Sequence, residues 1–232
     1  MDFNIKNYAV LDVFGIEVWI NETIINTWII MGVLIALAIV VRIKLSKFKE
    51  VPSGFQNFVE LIVEAFDKFV KDSAGEKLAF LGNWFFTVFA FIMLSNMSGA
   101  FGMRPPTADW TMTITFALCT FVLIHTMGAR SRKGGYIKSL FEPFIGKFPN
   151  LVFFPLNVIG ELARPVSLSF RLFGNILGGM ILMSLYYSMV PVFLLFGVPS
   201  FLHVYFDLFA GFLQAYIFTI LSLSFISAAS ET

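Results

Sequence analysis

An all-α integral membrane protein is predicted by three observations. Of 232 residues, 58% are hydrophobic and 13% are charged, against about 25% charged in a soluble domain. The apolar residues fall in runs long enough for helices of about 20 residues, the length that crosses a hydrocarbon core. Short segments of alternating polarity, the mark of membrane-spanning barrel strands, are not seen. About five transmembrane helices and one amphipathic interfacial helix are expected, the last two transmembrane helices long and steeply tilted as a hairpin. The chain is read as a single membrane domain, 1–232.

The first span is 24–43. Asn21, Glu22 and Thr23 supply its cap, and Arg42, Lys44, Lys47 and Lys49 close it. The next segment, 51–72, sets Gln56, Glu60, Glu64, Asp67, Lys68 and Lys71 among Phe, Leu, Ile and Val. It is too charged to span and reads as a helix at the membrane surface, with Pro52 in its first turn. The second span is 79–101 and the third 110–128, joined by a short turn through Arg104, Pro105, Pro106 and Asp109. A basic loop follows, with Arg130, Arg132, Lys133 and Lys138 around Gly134 and Gly135. Two apolar segments, 151–190 and 191–229, finish the chain. Each is about twice the length a crossing requires, so each is tilted, broken, bent or extended beyond the lipid. Pro165 is a candidate kink, Pro149 and Pro155 candidate starts, and the turn falls near Pro191 or at Gly197-Val198-Pro199.

Basic clusters mark the cytoplasmic side. The clusters at 42–49 and 130–138 agree with one another if five spans separate an acidic N-terminus outside from a C-terminus inside. Asp2, Lys6, Asp12, Glu17 and Glu22 read as an acidic opening rather than a secretory signal. Cys119 is the only cysteine and sits in an apolar run, so it reads as packing or lipid-facing. Two scattered histidines without a Cys pair give no metal site, and His125 reads as structural or interfacial. No phosphate-binding glycine loop, nucleophile–base pair or basic–aromatic patch is present, so no cofactor, catalytic residue or nucleic-acid partner is expected.

The costliest residue is Arg171, since 172–202 carries no Lys, Arg, Asp, Glu or His. An Arg at the centre of a membrane helix costs roughly 2.5 to 3.5 kcal/mol on insertion scales, and it stays charged. On an ideal helix Arg164, Ser167, Asn175 and Gly178 lie within about 40° of Arg171, and Glu161 about 80° off. Gly174, Gly178 and Gly179 let another helix approach closely. A glycine-rich packing seam with snorkelling arginines is the alternative reading of Arg171 and Arg164. The last segment has its own stripe, with His203, Asp207, Gly211 and Gln214 within about 80°. Asp207 is the only carboxylate between Glu161 and Glu231. Acids inside membranes serve ion paths or pair with a base, the alternative being a solvated helix end. His203 reads as a titrating or an incidental interfacial histidine.

Pro165-Val-Ser-Leu-Ser-Phe-Arg171-Leu-Phe-Gly-Asn175, followed by Gln214-Ala-Tyr-Ile-Phe218, resembles subunit a of F-type ATP synthases. Pro52-Ser-Gly-Phe-Gln56-Asn-Phe-Val-Glu60, Asn96 and Pro106-Thr-Ala-Asp109 are similar to that family's pattern in the same order. The resemblance implies a stator beside a ring of c subunits, with two offset half-channels carrying H⁺ or Na⁺. It further implies a complex that includes a subunit b stalk, and ATP chemistry performed elsewhere. Arg171 matches the arginine facing the ring carboxylates, and Asn175 and Gln214 match polar residues near it. Asp207 matches a position that is His or acidic in other members. Met180 stands where many members carry an acid or His, so Asp207 is left to carry that half-channel alone. Glu161, Arg164, Ser167, His203 and Asp109 complete the candidate ion path. The resemblance, with no evident targeting peptide, implies the plasma membrane of a bacterium.

Two other classes compete. A self-contained secondary ion transporter would show internal repeats, and none is clear. A structural scaffold would use the glycine seam but leaves Arg171 without a purpose.

Overall fold

The computed structural model describes residues 7–13, 16–46, 48–49, 51, 54–132, 153–191 and 197–231. Among them five helices are long and apolar enough to cross a membrane. The chain opens with a hairpin that the sequence reading did not anticipate. Strands β1 (Asn7–Val13) and β2 (Ile16–Asn21) pair antiparallel, Val13 opposite Ile16 and Asn7 opposite Asn21. Asn21 then ends the strand and starts helix α1 (Glu22–Leu45), its Oδ1 accepting the Ile24 N–H at 3.0 Å. This is the expected N-cap, satisfying one of the orphan donors of the first turn. Helix α1 is apolar all round and buries only Thr23, Asn26 and Ile30. It is a peripheral helix whose other faces are exposed.

Helix α2 (Phe55–Ala74) is the amphipathic element, beginning at Phe55. Gln56 fastens its start by donating to the Lys49 carbonyl at 2.7 Å and accepting the Lys49 N–H at 2.9 Å. On its polar face Asp67 hydrogen-bonds Lys71 at 2.8 Å. That bond and the Asp67 charge, with a smaller push from Glu76, raise the Lys71 ammonium above the ordinary lysine range. The second span is a composite: a 3₁₀ turn Glu76–Leu81, helix α3 (Gly82–Met97) and a second 3₁₀ turn Ser98–Phe101. A 3₁₀ turn at Pro106–Ala108 leads into helix α4 (Trp110–Arg132).

Helix α5 (Phe153–Met189) runs 37 residues through Pro165, about 55 Å at 1.5 Å per residue. The last crossing starts at Gly197, whose φ of 84° suits only glycine without strain. It comprises α6 (Val198–His203), a π-helical turn Val204–Phe209, and α7 (Ala210–Glu231). Asp2, Lys6, Lys47, Pro52, Ser53, Lys133, Gly134, Gly135, Lys138 and Pro149, named above, lie outside the described residues.

The core lies between α3, α4, α5 and α7. One cluster joins Val70 and Ala74 of α2, Phe85 of α3, Ile124 of α4, and Leu223 and Ile226 of α7. The other joins Ile92 of α3, Ala117 of α4, Leu168 and Leu172 of α5, and Ala215 and Phe218 of α7. Lipid is as apolar as these side chains, so their cohesion comes from packing and interhelical hydrogen bonds rather than from exclusion of water. Phenylalanine rings pack edge to face across these joints, as between Phe66 and Phe86 with centroids 5.1 Å apart.

The two ends of the bundle differ. Asn26 donates to the Arg104 carbonyl at 2.9 Å, so the start of α1 and the turn before α4 share one end. At the other end Lys44 lies 4.2 Å from the Phe55 ring centroid, α2 packs on the last turns of α7, and Ser131 donates to the Ser230 carbonyl at 2.8 Å. The described basic residues Arg42, Lys44 and Arg130 therefore collect at the end that carries Ser230.

Candidate functional site

Helix α5 has two faces because its small and polar residues recur every third or fourth position. Pro165, Leu168, Ser169, Leu172, Ile176 and Met183 are buried against the bundle. Ser169 is tied to Thr113 of α4 by a hydroxyl pair 3.2 Å apart. Ser167, Arg171, Gly174 and Asn175 are exposed on the opposite face. The glycines divide. A Cβ on Gly179 would meet the Phe206 ring at 3.5 Å, so Gly179 serves packing inside the chain. A Cβ on Gly174 or Gly178 would meet nothing within 4 Å.

The two arginines of this stripe are not equivalent. Arg164 pairs with Glu161 at 2.9 Å, and its guanidinium lies 5.3 Å from the Phe225 ring centroid. Its charge is met within the chain by a carboxylate and an aromatic face. Among the described residues Arg171 has no hydrogen bond or ion pair. Arg171, Arg164 and Ser167 line a cavity of about 210 Å³ with Gly160 of α5 and Leu221 and Phe225 of α7.

A second cavity, of about 190 Å³, begins one turn further along α5. Asn175 lines it, with Asn96, Glu22, Arg104, His203 and Asp207. Met180 lines it too. His203 Nδ1 and Asp207 Oδ2 are 2.6 Å apart, and Tyr187 Oη is 3.1 Å from His203 Nε2. The Asp207 carboxylate rests on Gly99, where a Cβ would come within 2.9 Å of Oδ1. The π-helical turn that carries Asp207 departs from ideal helical spacing, so angles drawn at 100° per residue do not hold across it. Asp207 and Gly211 nonetheless both face the end of α3, Gly211 accepting a hydrogen bond from Asn96 at 2.9 Å. Thr107 donates in turn to Asn96 Oδ1.

The expected residues thus divide into two groups with Arg171 and Asn175 at the boundary. Gln214 is half-buried and lines neither of these cavities. Asp109 stands apart from both, its Oδ1 accepting the Thr111 N–H at 2.9 Å at the start of α4. Cys119 is exposed on α4, and His125 stacks on Phe121 with ring centroids 4.0 Å apart. Glu22, Arg104, Gly99 and Tyr187 were not singled out from the sequence as parts of the site. Their sole signal there was polarity or smallness beside a helix end.

A family profile described as "ATP synthase A chain" matches residues 24–227 of this chain. The chain belongs to the ATP synthase A chain family. Among its relatives is "ATP synthase subunit a" of Moorella thermoacetica, 37% identical over 210 residues, covering 90% of each chain. "ATP synthase subunit a 2" of Acaryochloris marina is 35% identical over 219 residues, covering 91% of this chain and 86% of its own. "ATP synthase subunit a, sodium ion specific" of Propionigenium modestum is 34% identical over 252 residues, covering 98% and 80%. Membership makes this the ion-translocating membrane subunit of a rotary ATP synthase complex, not itself the site of ATP chemistry. With five apolar helices it is a multi-pass membrane protein, and the two cavities are features of an ATP synthase A chain.

Proposed function

We propose that the two cavities are the two half-channels and that Arg171 is the fixed charge between them, facing the carboxylates of a c-subunit ring. The observation that carries this reading is the state of Arg171: exposed on α5 and without an ion pair among the described residues, while Arg164 seven residues earlier is paired with Glu161. A permanent cation left uncompensated at an apolar surface is too costly to keep without a counter-charge on a partner. A guanidinium lowers the pKa of a carboxylate brought beside it and favours the ionised form. Each ring carboxylate that reaches Arg171 is thereby stripped of its ion. The same charge repels a cation passing directly from one cavity to the other, so ions move only as the ring turns. Open space beside Gly174 and Gly178 supports close passage of a rotor surface.

Asn175, His203 and Asp207 form the path on the side of the N-terminal hairpin, and Ser167, Arg164 and Glu161 form the path on the other side. Gln214 and Asp109 take supporting places. The basic end, with Ser230, is cytoplasmic by the positive-inside rule, and the hairpin end is outside. The chain sits in a bacterial plasma membrane, with a subunit b stalk among its neighbours. The deciding experiment is Arg171→Ala in the complete ATP synthase. The complex assembles, and ion-coupled ATP synthesis is lost. Full coupled synthesis in that variant overturns the reading, as does purification of the chain as an active transporter without a ring.

A further inference from the structure

We infer that the groove between α2 and α7, at the Ser230 end of the bundle, binds one phospholipid with a zwitterionic primary-amine headgroup, a phosphatidylethanolamine. The groove shares no lining residue with either cavity described above. It holds about 550 Å³ and opens to the surface, within the usual size of a small-molecule site, roughly 300 to 1,000 Å³.

Its walls follow from the spacing in the two helices. Helix α2 presents Lys68, Phe69, Asp72 and Ser73, which lie three or four residues apart in pairs on one side. Helix α7 presents Tyr216 and, about two turns later, Ser224. The Phe69 and Tyr216 rings join the helices, with centroids 5.3 Å apart. Around this aromatic joint polar groups are left over. The side chains of Lys68, Asp72, Ser73 and Ser224 make no hydrogen bond or ion pair among the described residues. Lys68 and Asp72 have the same separation as Asp67 and Lys71, yet only the latter two pair, at 2.8 Å. Lysine ahead of the acid is the weaker order on a helix, and one charge of each sign is left open to a ligand. Ser224 is unusual for the same reason. Hydroxyls in helices often bond the carbonyl four residues back, as Thr219 does to Ala215 at 2.8 Å and Ser230 to Ile226 at 2.7 Å. Ser224 does not, and it is exposed.

Charge selects the occupant. Helix α2 carries four carboxylates, Glu60, Glu64, Asp67 and Asp72, against two ammonium groups, Lys68 and Lys71. Anionic lipids are drawn to basic segments, whereas this helix is net acidic. A zwitterion brings both counter-charges. Its phosphate accepts from Lys68 and from the hydroxyls of Ser73 and Ser224, and its ammonium donates to Asp72. An ionised carboxylate only accepts. A primary ammonium has N–H protons to give it, and a quaternary choline has none. The acyl chains also have a track. Phe212 and Phe209, four and seven residues before Tyr216, are exposed like it and extend an apolar strip along α7 from the groove. The lipid thus bridges an amphipathic helix at headgroup level to a crossing helix.

The test uses the complete ATP synthase in mixed micelles with a phosphatidylethanolamine that carries a photoreactive diazirine in one acyl chain. Irradiation, digestion and mass spectrometry locate the label. It is expected on 65–73 and 209–224. Unlabelled phosphatidylethanolamine competes about tenfold better than phosphatidylcholine or phosphatidylglycerol. Lys68→Gln lowers labelling there about five- to tenfold. Lys71→Gln, at an ammonium already engaged by Asp67, leaves it unchanged. Asp72→Asn removes the preference, so that phosphatidylglycerol competes as well as phosphatidylethanolamine, a change that a merely structural Asp72 does not produce. Lys68 and Asp72 are both exposed, so these variants assemble, as the subunit ratio of the purified complex checks. Label spread evenly over the crossing helices, equal competition by the three lipids in the wild type, or stronger competition there by phosphatidylglycerol overturns the site. So does labelling indifferent to both Lys68→Gln and Asp72→Asn. Arg171→Ala labels as wild type whatever its effect on synthesis, so this site and the half-channel reading fail separately.

Discussion

Asn96 and Gly211 are locked together across the interface of α3 and α7. The Asn96 amide donates to the Gly211 carbonyl at 2.9 Å, and a Cβ on Gly211 would lie 2.8 Å from Asn96 Cβ. That contact is against the root of a buried side chain, which has no rotamer freedom to yield. Gly211→Ala therefore forces the two helices apart and costs about 1 to 3 kcal/mol, the usual range for overpacking. A thermal denaturation series in detergent checks this. An unchanged midpoint would mean that the interface is loose.

Gly99→Ala has a different outcome. The added methyl meets Asp207 Oδ1 at 2.9 Å, the far end of a side chain that can swing away. Stability is expected to change little, while ion transport falls because the carboxylate moves off its seat and away from His203. Comparing the melting midpoint with the rate of ATP-driven transport separates the two effects. Loss of both together would mean that Gly99 is only a packing residue.

Gly174→Ala tests the outer face of α5. Nothing within the chain lies within 4 Å of the new methyl, and alanine is the better helix former. The subunit is expected to keep its stability and its place in the purified complex, with slower rotation-coupled synthesis. An unaltered synthesis rate would show that no partner passes close to this face.

Asp207→Asn and Cys119→Ala form a matched pair of substitutions in the crossing helices. Asp207 lines a cavity and bonds His203, whereas Cys119 faces outward from α4. Transport is expected to slow in the first and to match wild type in the second, as measured by ATP-driven ion uptake. Equal, unimpaired rates would remove Asp207 from the ion path.

The five crossing helices were legible because lipid imposes one simple demand, an apolar run of sufficient length. The stripe around Arg171 was legible because a regular helix converts spacing into direction. What escaped depends on contacts distant in sequence or on local irregularity. The β1–β2 hairpin is short and carries little alternation, so it read only as an acidic opening. Nothing in Val204–Phe209 marks a π-helical turn, since neither Gly nor Pro occurs there. Glu22 and Arg104 became part of the Asp207 cavity only because α1 and the turn before α4 meet at one end of the bundle. Tyr187 was lost among the aromatics of a Phe-rich chain until His203, 16 residues later, came within hydrogen-bonding distance of it.

Arg171 and Asn175 line different cavities yet stand one helical turn apart, about 6 Å along the helix axis. If the two cavities are the water-filled half-channels proposed above, with a ring passing between them, the insulating layer at this place thins from about 30 Å to about that one turn. The whole membrane potential then falls across it, making the local electric field about five times steeper than in plain bilayer, on the ratio of those lengths. A single charge carried past Arg171 collects about 2.3 kcal/mol for every 100 mV in one short step, so voltage acts where the ring meets this chain and scarcely at all along the approaches.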